Sequence, residues 1–227
     1  MKKACSHIET AYKRIPSELR NQSGKIFYSG RDAFCKPAPL YVLGVNPGGD
    51  PNSLMDETVS SHTKWVLDKA PANWSAYRDE SWKAKPPGKH GMQPRLLHMF
   101  SRIGLDPGTV PSSNLVFVRS CREGDLADKV DSLADACWPF HAYVIEALKP
   151  RAILCLGQTA GDYVRARVGA DHRYATFIEQ NKRQWQSHAY SSPSGLKVIV
   201  ATHPSIAKWV ASASDPTGLV SDALNSA

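Results

Sequence analysis

The chain has no run near the ~20 apolar residues that a transmembrane helix needs, so no membrane-spanning helix is expected. The basic start Met1-Lys2-Lys3-Ala4-Cys5-Ser6-His7 has no hydrophobic segment behind it, which argues against a secretory signal. Lipidation motifs and basic amphipathic helices are missing too. Cysteines number only five, odd and scattered, which argues against a disulfide framework. These absences predict a cytoplasmic protein with no membrane partner. Repeats and low-complexity tracts are also lacking. Acidic residues are in the minority: 21 Asp plus Glu against 28 Lys plus Arg gives +7. That balance suits a polyanionic partner, nucleic acid before membrane, although a merely soluble basic surface would look the same.

What is present is the content of an ordinary globular protein. The 227 residues are 42% apolar and 22% charged, enough for one domain over 1–227 with a full core. Residues 8–19 read as a helix interrupted at Pro16, and 39–45 as the first strand. A short helix over 61–69 is expected to be capped by Ser60 or Ser61. Residues 71–94 are rich in Pro, Gly, Lys and aromatics and have no steady period, the mark of a functional or mobile insert. Helix resumes at 94–103, where Leu96, Leu97, Phe100 and Ile103 share a face, until Gly104. A second strand is expected at 114–118, a helix at 126–148 broken near Trp138-Pro139, a third strand at 152–156 and a helix at 158–167. A fourth strand at 197–201 precedes one or two helices in 206–226. Nearly all-apolar strands alternating with helices predict an α/β fold. The expected form is a monomeric three-layer α/β/α sandwich around a mainly parallel four-stranded sheet.

Two strand ends carry the chemistry. Leu40-Tyr41-Val42-Leu43 breaks into Gly44-Val45-Asn46-Pro47-Gly48-Gly49, and Val198-Ile199-Val200-Ala201 breaks into Thr202-His203-Pro204-Ser205. Ligands bind outside the carboxyl ends of strands in open α/β sheets. An amide at one end and an imidazole at the other therefore read as two halves of one site. Each has a plainer explanation: Asn before Pro-Gly often caps a turn, and a histidine at a strand end is often a structural hydrogen-bonder.

Taken in order, these motifs resemble the uracil-DNA glycosylase superfamily. Gly44-Val45-Asn46-Pro47-Gly48 is similar to the Gly-x-Asn-Pro-Gly of its mismatch-specific and single-strand-selective branches. His203-Pro204-Ser205 is similar to its last motif. Residues 91–122 and 150–160 resemble the iron-sulfur, family 4 branch, so the likeness covers roughly 40–212. The chain departs from that branch at Val45-Asn46, where its acidic residue is missing. It departs from the single-strand-selective branch at Val118-Arg119-Ser120, which puts Arg119 or Ser120 where an Asn reads the base.

The resemblance implies a monofunctional glycosylase acting on uracil or a related deaminated base in DNA, with Asn46 holding the water and His203 stabilising the departing base. Gly44, Val45, Pro47, Gly48, Gly49, Arg119 and Ser120 would line the base. Pro204, Ser205, Ile206, Lys208 and Trp209 would meet DNA, with Ile206 or Trp209 as the wedge filling the gap left by the flipped base. One of Trp65, Trp74, Tyr77 and Trp82 would stack on the base. Lys83, Lys85 and Lys89 interleave with these aromatics, as expected of a strand-binding groove. Cys121 and Cys137 match two cluster ligands of the iron-sulfur branch. A four-thiolate cluster would also need Cys5 and Cys35 to converge on them, and no cofactor is the expectation. The alternative is a catalytically weak or inactive DNA-binding protein on the same fold. A hydrolase of free nucleosides or nucleotides would leave the basic insert without a purpose.

Overall fold

The computed structural model describes residues 6–126 and 128–226. Helices α1 (Ser6–Lys13) and α2 (Ser17–Arg20) lie on either side of Pro16, as the sequence predicts. They lead to β1 (Leu40–Gly44). Helices α3 (Val59–Asp68), α4 (Ala76–Asp79) and α5 (Gln93–Arg102) precede β2 (Ser112–Asn114). Then follow α6 (Val130–Leu148), β3 (Ala152–Leu156) and α7 (Gln158–Val168). Strands β4 (His172–Ile178), β5 (Gln186–Ser191) and β6 (Lys197–Ala201) lead to α8 (Thr217–Asn225).

The sheet has six strands in the order β2-β1-β3-β6-β5-β4, not four. β2, β1, β3 and β6 are mutually parallel, whereas β4 and β5 add an antiparallel hairpin at one edge. This hairpin escapes a hydrophobic-run reading for a physical reason. β4 is an edge strand, largely exposed, spelled His-Arg-Tyr-Ala-Thr-Phe-Ile, and an edge strand needs no continuous apolar run.

Three further expectations are corrected. The paired part of β2 is residues 112–114. Residues 115–116 still bond the end of β1 through Leu115 N–H to the Gly44 carbonyl and Val116 N–H to the Val45 carbonyl, both 2.8 Å. α6 runs unbroken through Pro139. A proline inside a helix costs about 3 kcal/mol, and burial of Phe140, Val144 and Leu148 in the following turns offsets it. The cap of α3 is Thr58, whose side chain accepts from the Ser61 N–H while the Ser61 hydroxyl accepts from the Thr58 N–H.

Side-chain alternation assigns the faces. Tyr41, Ile153 and Val198 align across β1, β3 and β6, with Leu43, Cys155 and Val200 two residues on, so they share one face. The Tyr41 hydroxyl lies 2.8 Å from His141 Nδ1 on α6. On α7, Gly161 sits so close to Val200 that a Cβ would come within 2.5 Å of it. Helices α6 and α7 therefore cover that face. Val42, Leu154 and Ile199 of the opposite face are also fully buried, so both sides of the sheet are covered.

Two imidazoles are locked neutral in this interior. Burial pushes His141 down to about 4 and His62 down to about 3. The unfolded chain binds protons at these sites as pH falls below about 6.5, and the folded one does not until pH is far lower. Stability towards urea should therefore fall between pH 6.5 and 4, by up to about 1.4 kcal/mol per pH unit for each histidine. In His141→Gln the slope should lessen, and an unchanged slope would put the titration elsewhere.

Candidate functional site

Parallel pairing brings the ends of β1, β2, β3 and β6 to one edge of the sheet. Asn46 follows β1 and His203 follows β6. They are not on neighbouring strands: β3 lies between them, and its end carries Gly157 and the start of α7. A Cβ on Gly157 would lie 3.6 Å from His203 Cδ2, so the imidazole edge rests against the β3 end.

The Asn46 turn is held by the chain that leaves β2. Asn46 Nδ2 donates to Ser120 Oγ at 2.8 Å, to the Pro47 carbonyl at 3.0 Å and to the Val118 carbonyl at 3.4 Å. Ser120 N–H donates to the Pro47 carbonyl, and Gly48 pairs with Ser120 as one parallel bridge. The amide nitrogen is thus occupied, leaving the carbonyl oxygen as the acceptor of this side chain. Ser120 serves the turn as Asn46's partner.

Arg119 has a different place from the one its sequence position suggests. It is 5% exposed. Its guanidinium donates to Glu57, to the Gly48 carbonyl at 2.6 Å and, through Nε, to Ser23 Oγ at 3.3 Å. These bonds commit it to buttressing the glycine turn, away from a base edge. Beside it, Lys25 lies 2.8 Å from Glu80 and 4.0 Å from Glu57. Burial opposes its charge, but Tyr28, Glu80 and Glu57 outweigh that and raise its pKa.

Asn114, which sequence reasoning missed, lies at the carboxyl end of β2, opposite Gly44. A Cβ on Gly44 would come within 2.3 Å of Asn114 Oδ1, so only glycine lets that amide lie across β1. Asn114 is 6% exposed, and its Nδ2 makes no close hydrogen bond among the described residues. The available signal was the position of Asn114 one residue before the apolar run 115–118. His62 Nδ1 is likewise buried without a hydrogen-bond partner among the described residues, on a ring 5.8 Å from that of Trp65 and 6.1 Å from that of Trp74.

At the β6 end, His203 Nδ1 accepts from the Ser205 N–H at 3.0 Å and lies 2.7 Å from Ser205 Oγ. A backbone N–H can only donate, so this network assigns the neutral ring to the Nε2–H tautomer. Burial lowers its pKa, Glu123 opposes the shift and Arg95 adds to it, with a net lowering. Arg95 on α5 donates to the Pro204 carbonyl, joining the helix after the basic insert to this motif. Arg183, from the β4–β5 hairpin, donates to the Ile206 carbonyl at 3.0 Å from the other side.

The expected DNA contacts divide. Ser205, Ile206 and Lys208 are exposed, as are Lys83, Lys85 and Lys89 of the insert, while Pro204 is buried. Trp209 is no wedge: it is fully buried and its Nε1 donates to the Thr202 carbonyl at 3.1 Å. Trp74 and Tyr77 are buried in the core as well, whereas Trp65 is 37% exposed and Trp82 partly so. Among the described residues the cysteines form no metal-holding cluster. Cys5 lies outside the described residues, Cys35 is disulfide-bonded and Cys121 is exposed. Cys137 is buried, and burial pushes its thiol up to about 12. Among the described residues no group of three or more His, Cys, Asp or Glu is arranged to hold a metal ion, and no helix is long and apolar enough to cross a membrane.

No protein-family model matches the chain, and no curated protein matches it in sequence.

If Arg119 supports the turn, Arg119→Met should lower stability by about 2 kcal/mol, the scale of charge-assisted hydrogen bonds lost from a buried position. Urea denaturation checks this. A variant as stable as the parent would return Arg119 to the list of ligand contacts.

Proposed function

We propose that the chain is a monofunctional DNA glycosylase that hydrolyses the N-glycosidic bond of uracil or a related deaminated base. The observation that carries this reading is the convergence of the Asn46 turn and the Nε2–H tautomer of His203 on one sheet edge, either side of the β3 end. In this reading the four parallel strands and the helices covering them are the three-layer α/β/α core of the superfamily that the motifs resemble. β4 and β5 are then an appended hairpin, and the protein acts as a monomer in the cytoplasm.

The chemistry asks little of a nucleophile. Cleavage passes through an oxocarbenium-like sugar and an anionic base. The protein must extrude the base, hold a water, and meet charge where it develops. Asn46 Oδ1 accepts from the water, while the bonds to Ser120, Pro47 and Val118 hold the amide still. His203 Nε2–H donates to the departing base, and a neutral ring with lowered pKa suits a donor whose bond strengthens as charge grows. Asn114 takes the base-reading role first expected of Arg119 or Ser120, because an amide both donates and accepts. The backbone of Gly44, Val45, Pro47, Gly48 and Gly49 lines the base. Ser205, Ile206 and Lys208 approach the flipped-out gap, Ile206 as the wedge, and Trp65 or Trp82 supplies the stacking ring. No lysine stands at either motif, so no lyase step follows.

A second reading, a DNA-binding protein with little catalysis, is favoured by one observation: the Asn46 turn carries no acid. Alkali treatment of a labelled uracil oligonucleotide after incubation separates the two, since only base loss gives strand scission. A panel with hypoxanthine and xanthine reads the specificity. His203→Ala and Asn46→Ala should each slow excision ~10²–10³-fold with DNA affinity kept; affinity lost in parallel with rate would make both residues structural. Affinity should also fall steeply with salt. Neutralising Lys83, Lys85 and Lys89 together should flatten log affinity against log salt by up to ~0.9 per phosphate contact removed. An unchanged slope would move the DNA groove away from the insert.

A further inference from the structure

We infer that Glu123 supplies the carboxylate that the Asn46 turn lacks, acting as general base on the attacking water; this rests on the glycosylase reading above. The chain leaving β2 is routed across the sheet edge. Ser120 is bonded to Asn46, and Ser120 Oγ in turn donates to the Arg122 carbonyl at 2.7 Å. Arg122 N–H donates to Asp125 Oδ2 at 2.8 Å, closing a single 3-10 turn over Glu123–Leu126. Glu123 then accepts from the hydroxyl of Thr159 in the first turn of α7. Thr159 is two residues beyond Gly157, whose Cα faces the His203 ring. The exposed carboxylate is therefore held at the start of α7, next to the β3 end and near enough to His203 to act on its charge.

The space outside these strand ends is where a ligand belongs in an open α/β sheet. β1 leads to β2 on one flank while β3 leads towards β6 on the other, so the strand order reverses between β1 and β3. A cavity of about 330 Å³ lies beside the 3-10 turn and the start of α7, lined by Glu123, Gly124, Val130 and Thr159. Glu123 has no ion-pair partner among the described residues, so no cation holds its charge elsewhere. Its partner is a hydroxyl, which orients a carboxylate without neutralising it. His203 also feels this charge, which acts to raise the imidazole pKa against the effect of burial.

The step balances as follows. The water oxygen bonds to C1′ as the C1′–N bond breaks, and that bond's electron pair leaves with the base. The water proton passes to the Glu123 carboxylate, and the base anion, held by His203 Nε2–H, takes up a proton from solvent on release. A carboxylate at a helix start is also favourable to the helix itself, so a purely structural role makes its own prediction.

The test uses the full chain with Glu123→Gln and Glu123→Asp, measured for single-turnover excision of uracil, DNA affinity and thermal midpoint. Glu123→Gln keeps an acceptor for Thr159 but loses the base. It should slow excision ~10²-fold or more, the scale of general-base catalysis, with affinity and midpoint unchanged. Glu123→Asp should retain markedly more activity than Glu123→Gln. Wild-type excision with an unimpaired Glu123→Gln overturns the inference alone, as does a rate loss that tracks a lowered midpoint in both variants. No excision by the wild type overturns the glycosylase reading and this inference with it.

Discussion

Four parallel strands running the same way deliver four loops to one edge, and every feature of the candidate site depends on that directionality. The turn at Asn46, the chain at Arg119-Ser120, the start of α7 and the His203 motif are far apart in sequence. Parallel register alone makes them neighbours. The loops are then tied to one another by polar bonds. Asn46 holds Ser120, Arg119 holds Gly48, Glu123 takes a bond from Thr159, and Arg95 reaches the Pro204 carbonyl. Such ties hold irregular backbone still at the place where a reacting centre needs fixed partners.

Beneath this edge lies a layer of charge and unpaired polarity. Lys25, Glu57, Glu80 and Arg119 form a nearly closed set of ion pairs under the glycine turn. Among the described residues Asn114 and His62 each keep one buried polar atom without a close hydrogen-bond partner. A buried unpaired donor or acceptor costs roughly 1–3 kcal/mol, and such costs tend to persist where a ligand completes the bond. Arg20 Nε on α2 and the Tyr174 hydroxyl on β4 are in the same position, and of the four only Asn114 lies at the carboxyl end of a parallel strand.

Much of this was legible in the chain. The apolar runs 40–43, 152–156 and 198–201 are strands because parallel strands covered on both faces leave no room for polar side chains. Both chemistry-bearing motifs follow directly on such runs, so their location at strand ends is a local matter. The β4–β5 hairpin was not legible, since an edge strand exposed to solvent carries no such run. Pro139 misled for the opposite reason: a local rule gave way to the packing of the turns that follow it.

By itself the sequence determined which segments are buried strands and which residue types stand at their ends, because burial and turn chemistry act over a few neighbouring residues. Only the tertiary structure decided which of those residues face a crevice. Arg119 and Trp209 look like contact residues in the chain. One is bonded into the glycine turn and the other packed at zero exposure against the His203 motif. Asn114 and Glu123 stand out only once β1 has been laid between β2 and β3 and the loop after β2 has crossed to α7. The commitments of Arg119 and Glu123 are set by partners tens of residues away, Gly48 and Thr159, and no local pattern encodes them.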